Sequence, residues 1–289
     1  MPPVSGTAED VKARVVEYYV ATEASYLENW SKESLGFHVG IADETTASLA
    51  ESLDNTNAFL AERAGVVQGT RVLDAGCGVG GSSIWLARER GARVTGITIV
   101  ERQVQLAWGF ARQHGVADIV DFACEDMLET SFPESSFDVV WSLGSMSHVV
   151  DVQSYLEHVF YLLRDGGCFV VIDECVGPWP DRENEALLCR GWALAPLRTP
   201  EQVVQALGDV GFARAEAIDL GPRVGRSVQA MQAMASRSLF KMRAESAFAG
   251  ASVSAVYEAH VRGALAFAEG MISGAVSLMH FRAYRPPRL

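Results

Sequence analysis

The sequence has no apolar run that reaches the roughly 18–20 residues needed for a transmembrane helix. Residues 1–6 lack the basic and apolar regions of a signal peptide, so we expect a cytoplasmic protein. Cysteine is scarce and forms no C-x-x-C pair, which argues against a zinc site and a disulfide framework. The five cysteines are scattered along the chain, at Cys77, Cys124, Cys168, Cys175 and Cys189. We therefore expect buried free thiols and no bound metal.

Positive charge is also in short supply. Lys and Arg number 24 against 36 Asp and Glu, which gives a formal net charge of -12. A surface that binds nucleic acid needs clustered cations opposite the phosphates, so we expect no nucleic-acid partner. Hydrophobic residues make up 49% of the 289 residues and charged residues 21%. This composition suits one large globular domain, or one domain with a cap.

From residue 70 onward, short β-branched runs alternate with helical segments of roughly 10–15 residues. The predicted strands are 70–74, 93–98, 119–123, 137–142, 168–173, 213–220 and 275–284. The predicted helices between them are 81–90, 101–114, 152–164, 183–192 and 200–210. Alternation of this kind predicts an α/β fold with a Rossmann-like, doubly wound, mostly parallel sheet of seven strands that is covered on both faces.

Helical patterns also precede and interrupt the sheet. We predict an N-terminal helix over 9–30 with a break near Thr22, a loop at 34–42, and a second helix over 45–64. Two further helices, 225–246 and 252–270, fall between the last two strands. The predicted units are a helical cover (1–66), a sheet domain (67–221 and 273–289) and a helical lid (222–272) over the carboxyl edge, where open α/β sheets bind ligands.

A Gly-x-Gly-x-Gly turn, within the sequence VLDAGCGVGG at 72–81, follows the first strand of the sheet. Glycines allow a tight turn and close approach of the backbone to a ligand, and N–H groups at a helix N-terminus suit a carboxylate or phosphate. A dinucleotide site would read G-x-G-x-x-G, with an acid about twenty residues later. The sequence has Thr98 at that place. An NAD-dependent oxidoreductase therefore stays open as an alternative, without its ribose acid.

The segment 72–81 resembles motif I of the class I S-adenosylmethionine (SAM) dependent methyltransferases, V-L-D-x-G-C-G-x-G. The run GITI at 96–99, followed by Gln103, resembles one branch of that family. The branch includes sterol and tocopherol C-methyltransferases, cyclopropane fatty acid synthases and bacterial natural-product methyltransferases. The resemblance covers about residues 15–175 and implies SAM as the cofactor and a small-molecule acceptor. A catalytically silent SAM-binding subunit is a further alternative.

The resemblance also implies which residues hold the cofactor. Asp74 would hold the loop and the amino group of the methionine part, and the N–H groups of Gly76 to Gly78 would face its carboxylate. Asp126 would accept from the adenine amine, although it also suits a helix N-cap. The implied cofactor-binding residues are Tyr19, Asp74, Gly76, Cys77, Gly78, Thr98, Ile99, Gln103, Asp126, Met127, Ser142 and Leu143.

The reacting centre is expected after the fourth strand, in the segment 141–151. Relatives commonly carry Glu-Ser/Ala-x-x-His here, whereas this chain has Gly144 in the glutamate position and keeps His148. An imidazole titrates near pH 6.5, so His148 is the first candidate for general base. Asp173 and Glu174 end the fifth strand at the same edge. Asp173 is expected to assist the base, and Glu174 to supply the missing carboxylate.

The acceptor pocket is expected to be apolar, with Ser147, Trp179 and Met231 in its wall. The ends of the strands carry no cluster of Arg and Lys, which disfavours a diphosphate acceptor. We expect methylation of a hydrophobic acceptor on carbon, for example a terpenoid or prenyl alkene in secondary metabolism. The alternative is O- or N-methylation of an aromatic natural product. A homo-oligomer is compatible with the sequence.

Overall fold

The structure, a computed structural model, describes residues 8–31, 34–249 and 254–287. The N-terminal residues 1–6, on which the expectation of no signal peptide rests, lie outside the described residues. The same holds for residues 252–253 at the predicted start of the last helix. Along the described part of the chain, no helix is long and apolar enough to cross a membrane.

Seven strands form one sheet in the order β3-β2-β1-β4-β5-β7-β6. Their bounds are β1 Arg71–Ala75, β2 Arg93–Thr98, β3 Val120–Cys124, β4 Phe137–Leu143, β5 Leu163–Val176, β6 Ala213–Asp219 and β7 Val276–Tyr284. Strands β1 to β5 pair in parallel, and β7 runs antiparallel between β5 and β6. The predicted seven-stranded, mostly parallel sheet is confirmed.

Nine α-helices surround the sheet in the described residues. They are α1 Ala8–Ser25, α2 Leu49–Ala64, α3 Gly81–Arg90, α4 Glu101–Gln113, α5 Val152–Leu162, α6 Arg182–Gly191, α7 Pro200–Val210, α8 Gly221–Ala249 and α9 Ala255–Ser273. A π-helical turn, Tyr26–Trp30, continues α1, and a 3-10 turn, Met146–His148, follows β4. The helices α3 and α7 have the predicted bounds.

Several predicted boundaries are wrong, and three of them have a clear physical reason. Helix α1 does not break near Thr22, because the Thr22 hydroxyl donates to the Tyr18 carbonyl one turn earlier and so stays within the helix. Helix α2 begins only at Leu49, where Ser48 caps it by accepting from the Glu51 N–H. Strand β5 begins at Leu163 instead of residue 168, because Leu163 already pairs with Phe137 of β4.

The core lies in two layers, one on each face of the sheet. In β4, Val139 and Trp141 belong to one layer and Val140 to the other, and residues 169–172 of β5 alternate in the same way. Because the side chains of a strand alternate between faces, a strand covered on both sides needs a continuous apolar run. Four of the five cysteines are buried and unpaired, and only Cys124 is exposed.

The late helices α8 and α9 pack on each other, and α9 also packs on α6 and α1. At the crossing of α9 and α6, a Cβ on Gly191 would lie 2.5 Å from the Gly263 Cα, so the two glycines let the helices approach closely. Nδ1 of His260 on α9 lies 3.0 Å from the Tyr18 hydroxyl on α1. The N-terminal cover and the late helices therefore meet over one side of the sheet.

Candidate active site

A cavity of about 380 Å³ opens at the carboxyl ends of β1, β2 and β4. Strand β1 lies between β2 and β4, so the cavity stands where the strand order reverses, the usual ligand site of open α/β sheets. Eleven of the twelve predicted cofactor residues line it: Tyr19, Asp74, Gly76, Cys77, Gly78, Thr98, Ile99, Gln103, Asp126, Met127 and Leu143. The twelfth, Ser142, is fully buried behind the wall, with its hydroxyl 2.7 Å from that of Ser145.

The glycine loop differs from its expected use of backbone amides. The N–H groups of Gly76 and Cys77 both donate to the Ile97 carbonyl, at 2.9 and 2.8 Å, so they tie the loop to β2 instead of facing a ligand. Gly78 N–H is the one of the three amides without a partner in the described chain. Gly76 and Gly78 have φ values of +86° and +54°, which favour glycine. The expectation of a three-amide cradle is thus reduced to Gly78.

Asp74 lies beneath the loop and is 2% exposed. One carboxylate oxygen accepts from the Ser83 hydroxyl at 2.6 Å. Burial raises the pKa of Asp74 to about 6, against the smaller lowering effect of the Ser83 hydrogen bonds. Within the described residues Asp74 has no salt bridge, although it lines the cavity. A cationic group in the cavity would therefore stabilise its charged form.

Thr98 and Gln103 form a buried pair at the end of β2. The Thr98 hydroxyl donates to Oε1 of Gln103 at 2.7 Å, which leaves the amide nitrogen of Gln103 as the remaining donor. This nitrogen is buried and has no hydrogen-bond partner among the residues that the structure describes. A buried donor without a partner is unfavourable. Because Gln103 lines the cavity, a ligand oxygen such as a ribose hydroxyl fits this position.

Asp126 lines the same cavity. The helix that would make it an N-cap is absent from this segment, so that alternative is wrong. One oxygen accepts from the Leu128 N–H at 3.0 Å and holds a turn, and the other pairs with Lys12 of α1 at 3.0 Å. The Lys12–Asp126 pair thus connects helix α1 to the cavity wall at Asp126. Met127 lies beside it in the wall.

His148 lies at the junction between this cavity and a second, smaller one. Its Nδ1 lies 3.1 Å from the Ala193 carbonyl, which only accepts, so Nδ1 carries the proton. Nε2 is then an acceptor and receives the Tyr19 hydroxyl at 3.1 Å. Burial lowers the pKa of His148 in spite of the Ala193 hydrogen bond and the charge of Asp173. The imidazole is therefore a neutral acceptor already paired with α1.

The second cavity, about 40 Å³, is rich in aromatic side chains. Tyr18, Tyr19, Tyr26, Trp30, Phe37 and Trp192 contribute rings, and Met231 completes the wall as expected from the sequence. Glu174 is the only carboxyl group in the described lining. Burial, followed by the neighbouring charge of Asp173, raises the pKa of Glu174 well above its ordinary value.

Gly144 also lines both cavities and has a φ of +67°, and no atom of the described part of the chain lies within 4 Å of where a Cβ would stand. The place of the glutamate common in relatives is therefore open, and Glu174 approaches the cavity from β5. Asp173, the adjacent residue, does not line either cavity. It accepts from the backbone N–H groups of Ser147 and Glu174, at 2.9 and 3.2 Å. Asp173 thus positions the strand end and the 3-10 turn.

Two expected pocket residues lie elsewhere. Trp179 is 74% exposed and packs against the turn at Gly274, because its segment folds back along the end of β7. Ser147 lines neither of the two cavities and faces a space of about 10 Å³ behind Glu174. The structure also brings in residues that the sequence did not single out, namely Gly36, Phe37 and His38. The apolar and glycine-rich composition of the loop 34–42 was the available signal, since loops are usually polar.

Comparison with known proteins agrees with this geometry. Residues 73–171 match the methyltransferase domain family. Cycloartenol-C-24-methyltransferase of Arabidopsis thaliana is 30% identical over 217 residues, or 72% of this chain and 63% of that relative. The chain thus spans less than two thirds of that relative's length.

Two solved structures share the fold. The cyclase SpnF has a TM-score of 0.77 at 22% identity, over 96% of this chain and 97% of SpnF. Geranyl diphosphate C-methyltransferase from Streptomyces coelicolor A3(2) has a TM-score of 0.72 at 20% identity, over 97% of this chain and 100% of that one. The latter was solved with Mg²⁺, geranyl diphosphate and S-adenosyl-L-homocysteine.

The sheet order, the glycine loop and the cavity above it define a Rossmann-like domain of the SAM-binding class. The chain belongs to the class I SAM-dependent methyltransferases. The cofactor of this family is SAM, and the residues present fit it. Within the described ranges of the chain, Asp74 offers a buried carboxyl group without a cation, and Gln103 offers a buried donor without a partner. Among the residues that the structure describes, no group of three or more His, Cys, Asp or Glu is placed to hold a metal ion.

Proposed function

We propose that the protein transfers the methyl group of SAM to a carbon atom of a hydrophobic small molecule of the terpenoid or prenyl-alkene class, in secondary metabolism. The observation that carries this proposal is the aromatic cavity whose only described carboxyl group is Glu174. It meets the cofactor cavity at Tyr19 and His148. The names of the relatives, a cycloartenol C-24- and a geranyl diphosphate C-methyltransferase, support carbon as the site of transfer.

SAM, when bound, supplies a methyl group on a positively charged sulfur. The chain contributes position, since the rate of such a displacement depends on alignment worth up to about 7–11 kcal/mol. Asp74, Gln103 and Gly78 would hold the cofactor. The apolar walls of the second cavity would hold the acceptor against the junction. With only about 40 Å³ in the second cavity, acceptor entry requires the aromatic wall to move.

The aromatic walls suit an acceptor that becomes positively charged. An alkene that gains a methyl group on one carbon carries a positive charge on the adjacent carbon. The faces of Tyr, Trp and Phe rings stabilise a cation, by about 0.5–2 kcal/mol each when water is excluded. The described lining of the second cavity has no Lys or Arg that would oppose the charge.

Glu174 is the proposed base for the last step. A C–H bond next to the positive carbon breaks, its electron pair forms the new double bond, and the proton passes to the Glu174 carboxylate. Burial raises the pKa of Glu174, which makes its ionised form a stronger base. A positive charge in the cavity acts in the opposite direction and favours the ionised form at the moment when it is needed.

O-methylation is the second candidate, and the position of His148 favours it. A hydroxyl acceptor at the junction would give its proton to Nε2 of His148, provided that the Tyr19 hydroxyl turned away. The present Tyr19–His148 hydrogen bond occupies that acceptor, which is why carbon transfer ranks first.

The test uses the protein with methyl-labelled SAM and matched acceptors: prenyl alkenes without a hydroxyl, the corresponding prenyl alcohols, and small phenols and amines. We expect label on carbon in the alkenes and in the alcohols, located by NMR of the purified product. Label only on oxygen or nitrogen would overturn the proposed transfer to carbon and indicate an O- or N-methyltransferase instead. Failure to bind SAM or S-adenosylhomocysteine in calorimetry would overturn the proposed function as a whole.

A further inference from the structure

The loop 34–42 brings a second buried imidazole to the cofactor cavity. His38 is 8% exposed and lines both cavities. The Trp30 indole N–H donates to the His38 carbonyl at 2.9 Å and fixes the backbone of the loop. His38 belongs to none of the motifs that point to methyl transfer, and the proposed chemistry does not use it.

The hydrogen bonds of His38 determine which of its nitrogens accepts. Nδ1 lies 3.2 Å from the Val39 carbonyl, and a carbonyl only accepts, so Nδ1 carries the proton. Burial lowers the pKa of His38 to about 4, against the weaker effect of Val39, so the ring is neutral near pH 7. Nε2 therefore presents a lone pair. This atom is buried and has no hydrogen-bond partner in the described structure.

The neighbouring Gly36 packs closely against this nitrogen. A Cβ on Gly36 would lie 2.6 Å from Nε2 of His38, too close for any side chain. The same stretch packs on the start of α3, because a Cβ on Gly81 would lie 2.5 Å from the Leu35 carbonyl oxygen and 3.0 Å from the Gly36 nitrogen. The loop that carries His38 thus packs beside the glycine loop, and His38 and Asp74 line the same cavity.

We propose that Nε2 of His38 accepts a hydrogen bond from the α-ammonium group of the methionine part of the cofactor. This inference rests on the proposed function only in taking SAM as the cofactor. A neutral acceptor and the Asp74 carboxylate, which line the same cavity, suit an ammonium group, which needs several acceptors and one negative charge. A hydroxyl of the acceptor molecule offers the same donor chemistry from the other cavity. The position beside Gly36 and Gly81 favours the ammonium group.

The test compares two ligands by calorimetry. S-adenosylhomocysteine carries the α-ammonium group, whereas 5′-methylthioadenosine lacks the whole amino-acid part. His38→Phe keeps a flat ring without an acceptor, and we expect about tenfold weaker binding of S-adenosylhomocysteine with unchanged binding of methylthioadenosine. His38→Asn, which offers a side-chain oxygen, should recover part of the loss. His114→Phe makes the same exchange outside the cavities and should bind both ligands as wild type does.

Equal affinities of wild type and His38→Phe for S-adenosylhomocysteine would overturn the inference and leave the proposed function intact. A loss for both ligands alike would also overturn it, since the effect would then be on the cavity as a whole. A raised KM for the prenyl acceptor with unchanged S-adenosylhomocysteine binding would assign Nε2 to the acceptor and overturn the assignment to the ammonium group. Wild-type protein that binds no S-adenosylhomocysteine would overturn the proposed function and this inference together.

Discussion

The Tyr19 hydroxyl lies 3.1 Å from Nε2 of His148, and this hydrogen bond joins helix α1 to the turn after β4. Both rings stand at the junction of the two cavities, with centroids 5.7 Å apart. The pair therefore couples the N-terminal cover to the junction at which we propose that the methyl group and the acceptor meet. Substitutions of this pair therefore test whether the N-terminal cover helps to align the cofactor with the acceptor.

Tyr19→Phe removes the hydroxyl and keeps the ring. We expect kcat to fall about tenfold, as loss of one buried hydrogen bond predicts, while binding of S-adenosylhomocysteine changes little. His148→Ala should lower kcat and keep cofactor affinity as well. If the two residues act as one unit, the double variant will fall no further than the more impaired single variant. If the two fold-losses in kcat multiply in the double variant, the activation free energies add and the residues act independently.

Glu174→Gln keeps the shape of the proposed base and removes its ability to take a proton. We expect kcat to fall about 10²- to 10⁴-fold, with S-adenosylhomocysteine affinity retained. Because burial and Asp173 raise the pKa of Glu174, the base form increases as pH rises, so wild-type kcat should rise with pH through that elevated pKa. The variant should lose this rising limb. A variant that keeps both the rate and the pH profile would remove Glu174 from the mechanism.

Asp74→Asn should weaken the binding of the cofactor and stabilise the ligand-free protein. The pKa of Asp74 rises from 3.8 to about 6 on folding, so below about pH 4 both states are protonated and the group has no effect. Between about pH 4 and 6 the unfolded chain releases its proton first, and stability falls by up to about 3 kcal/mol. Denaturation with urea at pH 4 and pH 7.5 should show the variant more stable than wild type at the higher pH only. A variant that is less stable at both pH values would contradict the sign.

Gly78→Val should abolish binding of S-adenosylhomocysteine. Gly78 has a φ of +54°, and of the residues described only Phe37, at 3.7 Å, lies near its Cβ position, so the added side chain would occupy cavity space. Gly115→Val is the matched control, since Gly115 has a φ of +71° and open space but lies outside the cavity. The control should lose stability to a similar extent and keep the ligand. Normal affinity in Gly78→Val would contradict the placement of the cofactor over this loop.

Much of the sheet follows from local patterns, because a strand buried on both faces must be apolar throughout. The predicted β2 has its observed bounds, and α7 is fixed by Thr199, whose side chain accepts from the Gln202 N–H in a capping box with Pro200 at the first helical position. The start of β5 was missed because Leu163 pairs with Phe137 of a distant strand, and no local signal carries that contact.

Site residues could be predicted from the sequence where they lie at or just after the end of a strand, because that position alone brings them to the cavity. The hydrogen bonds from the Gly76 and Cys77 N–H groups to the Ile97 carbonyl depend on how β2 passes under the loop. The spacing of residues in the sequence does not show this. The pairing of Asp126 with Lys12 joins segments more than a hundred residues apart. His38 lies in a segment without periodicity, and its place was set by Trp30 and by the packing of Gly36.

Helix α1 crosses the cofactor cavity and is fastened on both sides, by Lys12 to Asp126 and by Tyr19 to His148. We therefore expect that the demethylated cofactor leaves the cavity only when α1 moves away from it. We expect the exchange of the demethylated product for SAM to require a movement of α1. One fastening is ionic and exposed to solvent, so added salt should speed the exchange while the transfer step itself stays unaffected.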